Sequence, residues 1–181
     1  MSAGEDVTTS AKDHSVTGTI LATAGIAWFA WGYVGEELTV VLGMGIIAGA
    51  AAVAWGAVLI RSLPGRTTMA TDPAARRTYW SAMGAQAVAI LAGVLLLDST
   101  ERPSYVPAWV LSAVGIHFLP LAKAFGVRIL GTVGWACVAV AGLATASGLM
   151  GWLPAPTVAG GGGGLVLLVS AVSALRVARR G

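Results

Sequence analysis

The stretch Tyr105–Phe125, YVPAWVLSAVGIHFLPLAKAF, decides the fold. An α-helix rises ~1.5 Å per residue, so ~20 apolar residues cross the ~30 Å hydrocarbon core of a bilayer. This run has that length and holds no acidic residue. A spanning segment has to satisfy its own backbone in lipid, so the run is read as a helix. Two of its residues are more than a plain anchor needs. His117 is the only histidine inside an apolar run, and Pro120, one turn on, has no N–H to donate to the Ile116 carbonyl.

Working outward, five further runs of the same kind flank it: Ser15–Tyr33, Leu38–Ile60, Tyr79–Leu97, Ile129–Met150 and Thr157–Val177. Composition agrees. The 181 residues are 56% hydrophobic and 10% charged, where a soluble domain has ~25% charged. The reading is an all-α integral membrane bundle of six transmembrane helices. Short outer connections arrange them as three antiparallel hairpins. Residues 1–14 read as a disordered cytoplasmic tail, residues 15–177 as the six-helix domain and residues 178–181 as a basic tail. The first tail carries Glu5, Asp6 and Asp13 against Lys12. A secretory leader would be basic there, so the first helix is expected to be retained.

The charges sort by connection. Arg61, Arg66, Arg76 and Arg77 fall between the second and third runs, Lys123 and Arg128 between the fourth and fifth. Arg176, Arg179 and Arg180 close the sixth, and Lys12 precedes the first. The alternate connections hold Glu36, Glu37, Asp98, Glu101 and Arg102. With six crossings, ten of the eleven basic residues share one side. By the positive-inside rule that side, with both termini, is cytoplasmic. Tyr105, Trp109 and Trp152 then lie near outer ends and Tyr79, Trp80 and Phe125 near inner ends, at the headgroup level that amphipathic rings prefer. Topology thus accounts for the net charge of +3. No basic–aromatic interleaving suggests nucleic acid, and the partner implied is the lipid bilayer.

Polar residues inside the runs are few. Gln86 lies six residues from Trp80, hence ~9 Å from the inner edge at ~1.5 Å per residue. His117 lies eight residues from Phe125, ~12 Å from the same edge by the same rise. Thr23 has a similar depth. The expectation is a small pocket in the inner half, reached from the cytoplasm and built from His117, Gln86, Thr23 and Pro120, with Gln86 and His117 as direct partners. Two roles for His117 stay open. It is a structural residue, satisfied by Gln86 and by the carbonyl freed at Pro120, or it titrates or touches a substrate. A lone histidine does not supply a metal or haem ligand set, so no metal and no cofactor is expected.

Gly45 and Gly49, extended by Ala48 and Ala52, form a strip of small residues in the second run. Such strips let helices approach closely. Here the strip serves packing within the chain, or else a homodimer or membrane-protein partner. The five glycines Gly160–Gly164 lack the lysine of a phosphate loop. They read as helix, because unpaired backbone in lipid costs several kcal/mol per group, against ~1 kcal/mol for each helical glycine. No GxSxG, no HExxH and no paired intramembrane carboxylates occur. Cys137 has no partner for a disulfide. An enzyme is therefore not expected.

The run His117-Phe118-Leu119-Pro120-Leu121-Ala122-Lys123 resembles a segment of small bacterial multi-span membrane proteins. The resemblance covers one helix. It implies a multi-pass protein of the bacterial inner membrane and brings no catalytic residues. Three functions follow in order: binding or permeation of a small neutral or apolar solute near His117; accessory or assembly work through the Gly45/Gly49 face; and, last, a lipid-acting enzyme.

Overall fold

The computed structural model describes residues 11–33, 38–64 and 66–180. Its elements are α1 (Ala11–Gly32), α2 (Thr39–Ser62), a one-turn α3 (Thr68–Thr71), α4 (Pro73–Ser99), a 3-10 turn (Pro103–Tyr105), α5 (Val106–Phe125), α6 (Arg128–Met150) and α7 (Ala155–Arg180). No strand occurs among the described residues. All six apolar runs are helical. Five of the helices, α2, α4, α5, α6 and α7, are long and apolar enough to cross a membrane, which makes this a multi-pass membrane protein. α1 matches them in length at 22 residues. Its apolar character is diluted by Thr17, Thr19, Thr23 and three glycines, and it falls outside that group.

Several boundaries move outward for local reasons. α4 starts at Pro73, not Tyr79. The Asp72 carboxylate accepts from the Ala74 N–H at 2.7 Å, and proline fits the first helical position, whose N–H has no intrahelical partner. α5 and α6 stop at Gly126 and Gly151, whose φ values of 65° and 68° suit glycine. α1 begins at Ala11, so the end of the stretch expected to be disordered is helix. The rest of that tail, residues 1–10, and the Glu36–Glu37 turn lie outside the described residues. The basic tail is a continuation of α7 as far as Arg180.

Close approaches without side chains hold the bundle. α1 and α7 run together for most of their length. A Cβ at Gly160 would collide with the Gly32 backbone and stand 2.8 Å from the Trp28 carbonyl oxygen. At Gly164 it would stand 2.7 Å from the Phe29 ring. The five-glycine run is thus helical, and two of its members seat α1. α5 and α6 meet through a reciprocal pair: a Cβ at Gly115 would lie 2.6 Å from the Gly134 oxygen, and one at Gly134 2.7 Å from the Gly115 oxygen. α2 packs on α1 by the same device. Gly45 lies under Phe29 and Gly49 under Ile26, with added Cβ atoms at 2.7 and 2.6 Å, and Ala52 is buried. Gly45, Gly49 and Ala52 of the small-residue strip are therefore covered within the chain, while Ala48 is exposed. α4 is the outlier, with only Ala75 and Gly93 buried.

These contacts divide the glycines into two sets. Gly160→Ala and Gly115→Ala force backbone apart and are expected to lower stability by about 1–3 kcal/mol each. Gly84 and Gly142 have nothing within 4 Å of an added Cβ, so Gly84→Ala and Gly142→Ala are expected to be neutral or to stabilise by up to about 1 kcal/mol. Thermal unfolding of the four variants in detergent checks this.

Candidate functional site

α4 leans on α5 unevenly. Away from the basic end of the bundle, Trp109 of α5 lies directly over Gly93 and its Nε1–H donates to the Ala89 carbonyl at 2.9 Å. Toward the basic end the two helices leave room between them. There α4 turns Tyr79, Met83 and Gln86 inward, one stripe at i, i+4 and i+7. α5 answers with Val114, His117, Phe118 and Leu121, and α1 closes the third side with Thr17, Ile20, Ala24 and Trp28. The result is a cleft of about 410 Å³, mostly apolar. Ligand pockets begin at roughly 300 Å³.

Gln86 and His117 thus share one cleft, as their depths required. They are not hydrogen-bonded to each other. Gln86 Oε1 and both His117 ring nitrogens are covered and make no hydrogen bond. The His117 ring leans toward the Val114 carbonyl one turn back without reaching hydrogen-bond geometry. The carbonyl freed at Pro120 does not serve it either: it belongs to Ile116, which points outward, 58% exposed. Pro120 is itself exposed, α5 continues through it, and it does not line the cleft. Nor does Thr23. Its hydroxyl donates to the Thr19 carbonyl of its own helix at 3.0 Å, and its side chain is exposed. Successive residues turn ~100° about a helix axis, so Thr23 falls on another face of α1 than Ala24.

The mouth at the basic end has a built closure. Asp13 accepts from the Thr68 N–H at 2.8 Å and from the Thr68 hydroxyl at 2.8 Å. Lys12 Nζ donates to the Leu63 carbonyl at 3.3 Å. These bonds strap the connection between α2 and α4 to the start of α1, and they bring Thr67 and Met69 into the cleft wall beside Asp13. Sequence reading missed this because it assigned Lys12 and Asp13 to a tail. The available signal was a pair of charged residues within one turn of an apolar run.

Elsewhere the chemistry is sparse. A smaller cavity of about 260 Å³ lies at the opposite end, lined by Arg102, Tyr105, Trp109, Ser112 and Thr145 among others. Cys137 is buried. Among the described residues no three His, Cys, Asp or Glu side chains converge as a metal site. Comparison with protein-family models, curated proteins and solved structures finds no match, so the cleft is read from its own residues.

Two consequences are measurable. A covered polar group without a partner costs about 1–3 kcal/mol. Gln86→Leu and His117→Phe are therefore expected to raise the unfolding temperature of the ligand-free protein, where a structural hydrogen-bonding role would make both lower it. Asp13→Ala is expected to loosen the strap, and trypsin cleavage after the exposed Arg66 should become several-fold faster while the helices beyond it stay resistant.

Proposed function

We propose that this chain is a six-helix protein of the bacterial cytoplasmic membrane that holds a small neutral or apolar solute in the cleft at His117 and Gln86. One observation carries the reading. Two polar side chains without hydrogen-bond partners line a mostly apolar cleft, in helices built for a medium without water. Polar groups at membrane depth are ordinarily paired and mark pathways or sites. A solute that returns their hydrogen bonds recovers what the cleft forgoes.

α1 is taken as the sixth crossing. Its packing along α7 and the distribution of charge support this. With six crossings the helices form three antiparallel hairpins, and the strap, Lys12 and the arginines lie on the cytoplasmic side with both termini. The resemblance of the His117–Lys123 segment supports a bacterial inner membrane. The accessory-protein reading loses its main support, because α1 already covers Gly45 and Gly49. A nucleophile–base pair is not among the described cleft residues.

Thiol chemistry tests the site. In a Cys137→Ala background, His117→Cys should react with N-ethylmaleimide in membranes, because a thiolate forms only where water reaches. Val88→Cys and Leu91→Cys, on the exposed face of α4, should not react. An inert His117→Cys would mean a cleft that water does not reach and would remove permeation of a solute from the aqueous side. For topology, alkaline phosphatase fused after Glu101 should be active and the same enzyme fused after Arg180 inactive. The reverse pattern, or activity at both points, would overturn the orientation.

A further inference from the structure

The cleft has a preferred kind of occupant and a direction of approach. The direction comes from which helices touch. α1 packs on α2 and α7, α4 chiefly on α5, and α1 and α4 share no packed face. Both nevertheless line the cleft, with Ile20 on one rim and Met83 on the other. Ile20 is 58% exposed although it belongs to the cleft wall. The opening between these helices therefore faces sideways, where a membrane protein meets lipid. The end of the cleft toward the basic side is crossed by the strap that Asp13 holds.

The occupant comes from hydrogen-bond bookkeeping. A neutral imidazole has one N–H donor and one lone-pair acceptor, and Gln86 Oε1 is a second acceptor. The covered atoms thus offer one donor and two acceptors, none with a hydrogen-bond partner, and the Gln86 Nε2 group adds donors of its own. A quinone, ester or ether presents acceptors only and leaves both wall acceptors unmet. A hydroxyl accepts from His117 and donates to Gln86. Charge narrows the choice further. No lysine or arginine is among the described lining residues, and none of them neutralises a phosphate or carboxylate. The one acid among the described lining residues, Asp13, is already bonded twice to Thr68 and is a poor seat for a cation. The volume of about 410 Å³ accepts roughly a dozen heavy atoms, at about 30 Å³ each as for a water in the liquid.

We propose that the cleft binds an uncharged, hydroxyl-bearing amphiphile that enters from the bilayer through the gap between α1 and α4, its hydroxyl between Gln86 and His117. This rests on the solute reading above. The amide and imidazole are turned into the wall, and their terminal torsions are soft enough for an occupant to draw them out. The tail lies along Ile20, Ala24, Met83 and Leu121.

Photolabelling decides it. The full chain in phosphatidylcholine nanodiscs is irradiated with a twelve-carbon primary alcohol carrying a mid-chain diazirine, and adducts are mapped by mass spectrometry. Adducts on α1 near Ile20 and on α4 near Met83 are expected. 1-Dodecanol should compete at least about tenfold better than dodecanoate, dodecyltrimethylammonium or dodecyl methyl ether. Gln86→Leu and His117→Phe should erase that preference while remaining folded. A bismaleimide bridge between Ile20→Cys and Met83→Cys, in the Cys137→Ala background, should abolish labelling. Equal competition by the ether or the carboxylate would overturn the hydroxyl assignment and leave the solute reading standing. Undiminished labelling of the bridged protein would overturn the sideways route. If alcohol, acid and ether versions of the probe all fail to mark the cleft, the solute reading itself falls.

Discussion

Everything in this protein depends on how closely two helix backbones approach without the hydrophobic effect to press them together. In hydrocarbon a leucine gains little by leaving lipid for protein, so association rests on dispersion and geometry. Dispersion falls steeply with distance, and a gap of less than an ångström forfeits a quarter to a half of it. The chain answers by deleting side chains where helices cross. Gly32 meets Gly160 between α1 and α7, Gly115 meets Gly134 between α5 and α6, and Gly45 and Gly49 lie under Phe29 and Ile26 between α1 and α2. α1 and α4 present the opposite case. The faces they turn to each other carry Ile20, Trp28, Tyr79 and Met83. No glycine lets their backbones close, and the cleft is what remains.

The same logic explains why α4 stays in place with so little of it buried. It is fastened near both ends. Trp109 covers Gly93 and donates to the Ala89 carbonyl at one end. At the other, α4 follows directly from the strapped connection, whose Asp72 caps it. α4 packs chiefly on α5 and shares no comparable face with α1. A helix held at its ends and free along one flank makes a stable wall for a cavity.

Depth was readable in the sequence and azimuth was not. Counting residues from the aromatic belts put Gln86 and His117 at matching heights, and they do line one cleft. The same counting put Thr23 at that height, yet it faces away. An amphipathic helix shows its buried face by its polar one. A helix without a distinct polar face carries no such mark, and α1, whose threonines are spread over several faces, is such a helix. Its rotation is set by glycines that match partners on α7, which is a property of two distant segments together. The Asp13–Thr68 strap was hidden for a related reason. It joins residues 55 positions apart, with no periodic signal on either side. Helix positions and the charge asymmetry were legible because each is a sum over many residues. The strap and the setting of Thr23 each rest on one or two.

That leaves the pair at the centre. Several polar side chains within the helices return to their own backbone: Thr19 to Ser15, Thr145 to Ala141, Ser173 to Val169, each within 3.0 Å. Serine and threonine do this at little cost because a short hydroxyl reaches the carbonyl one turn back. Glutamine and histidine are longer and do not close that loop readily, so in lipid they need a partner from outside their own turn. A chain selected only to pack would carry leucine and phenylalanine at positions 86 and 117, filling the cleft and burying nothing unpaired. Thr157 Oγ1 and His14 Nδ1 are also covered without a hydrogen bond, but of these groups only Gln86 and His117 line the cleft, and breaks in local rules fall at functional sites. The unmet hydrogen bonds of Gln86 and His117 therefore point to a guest that brings its own polar group into the cleft.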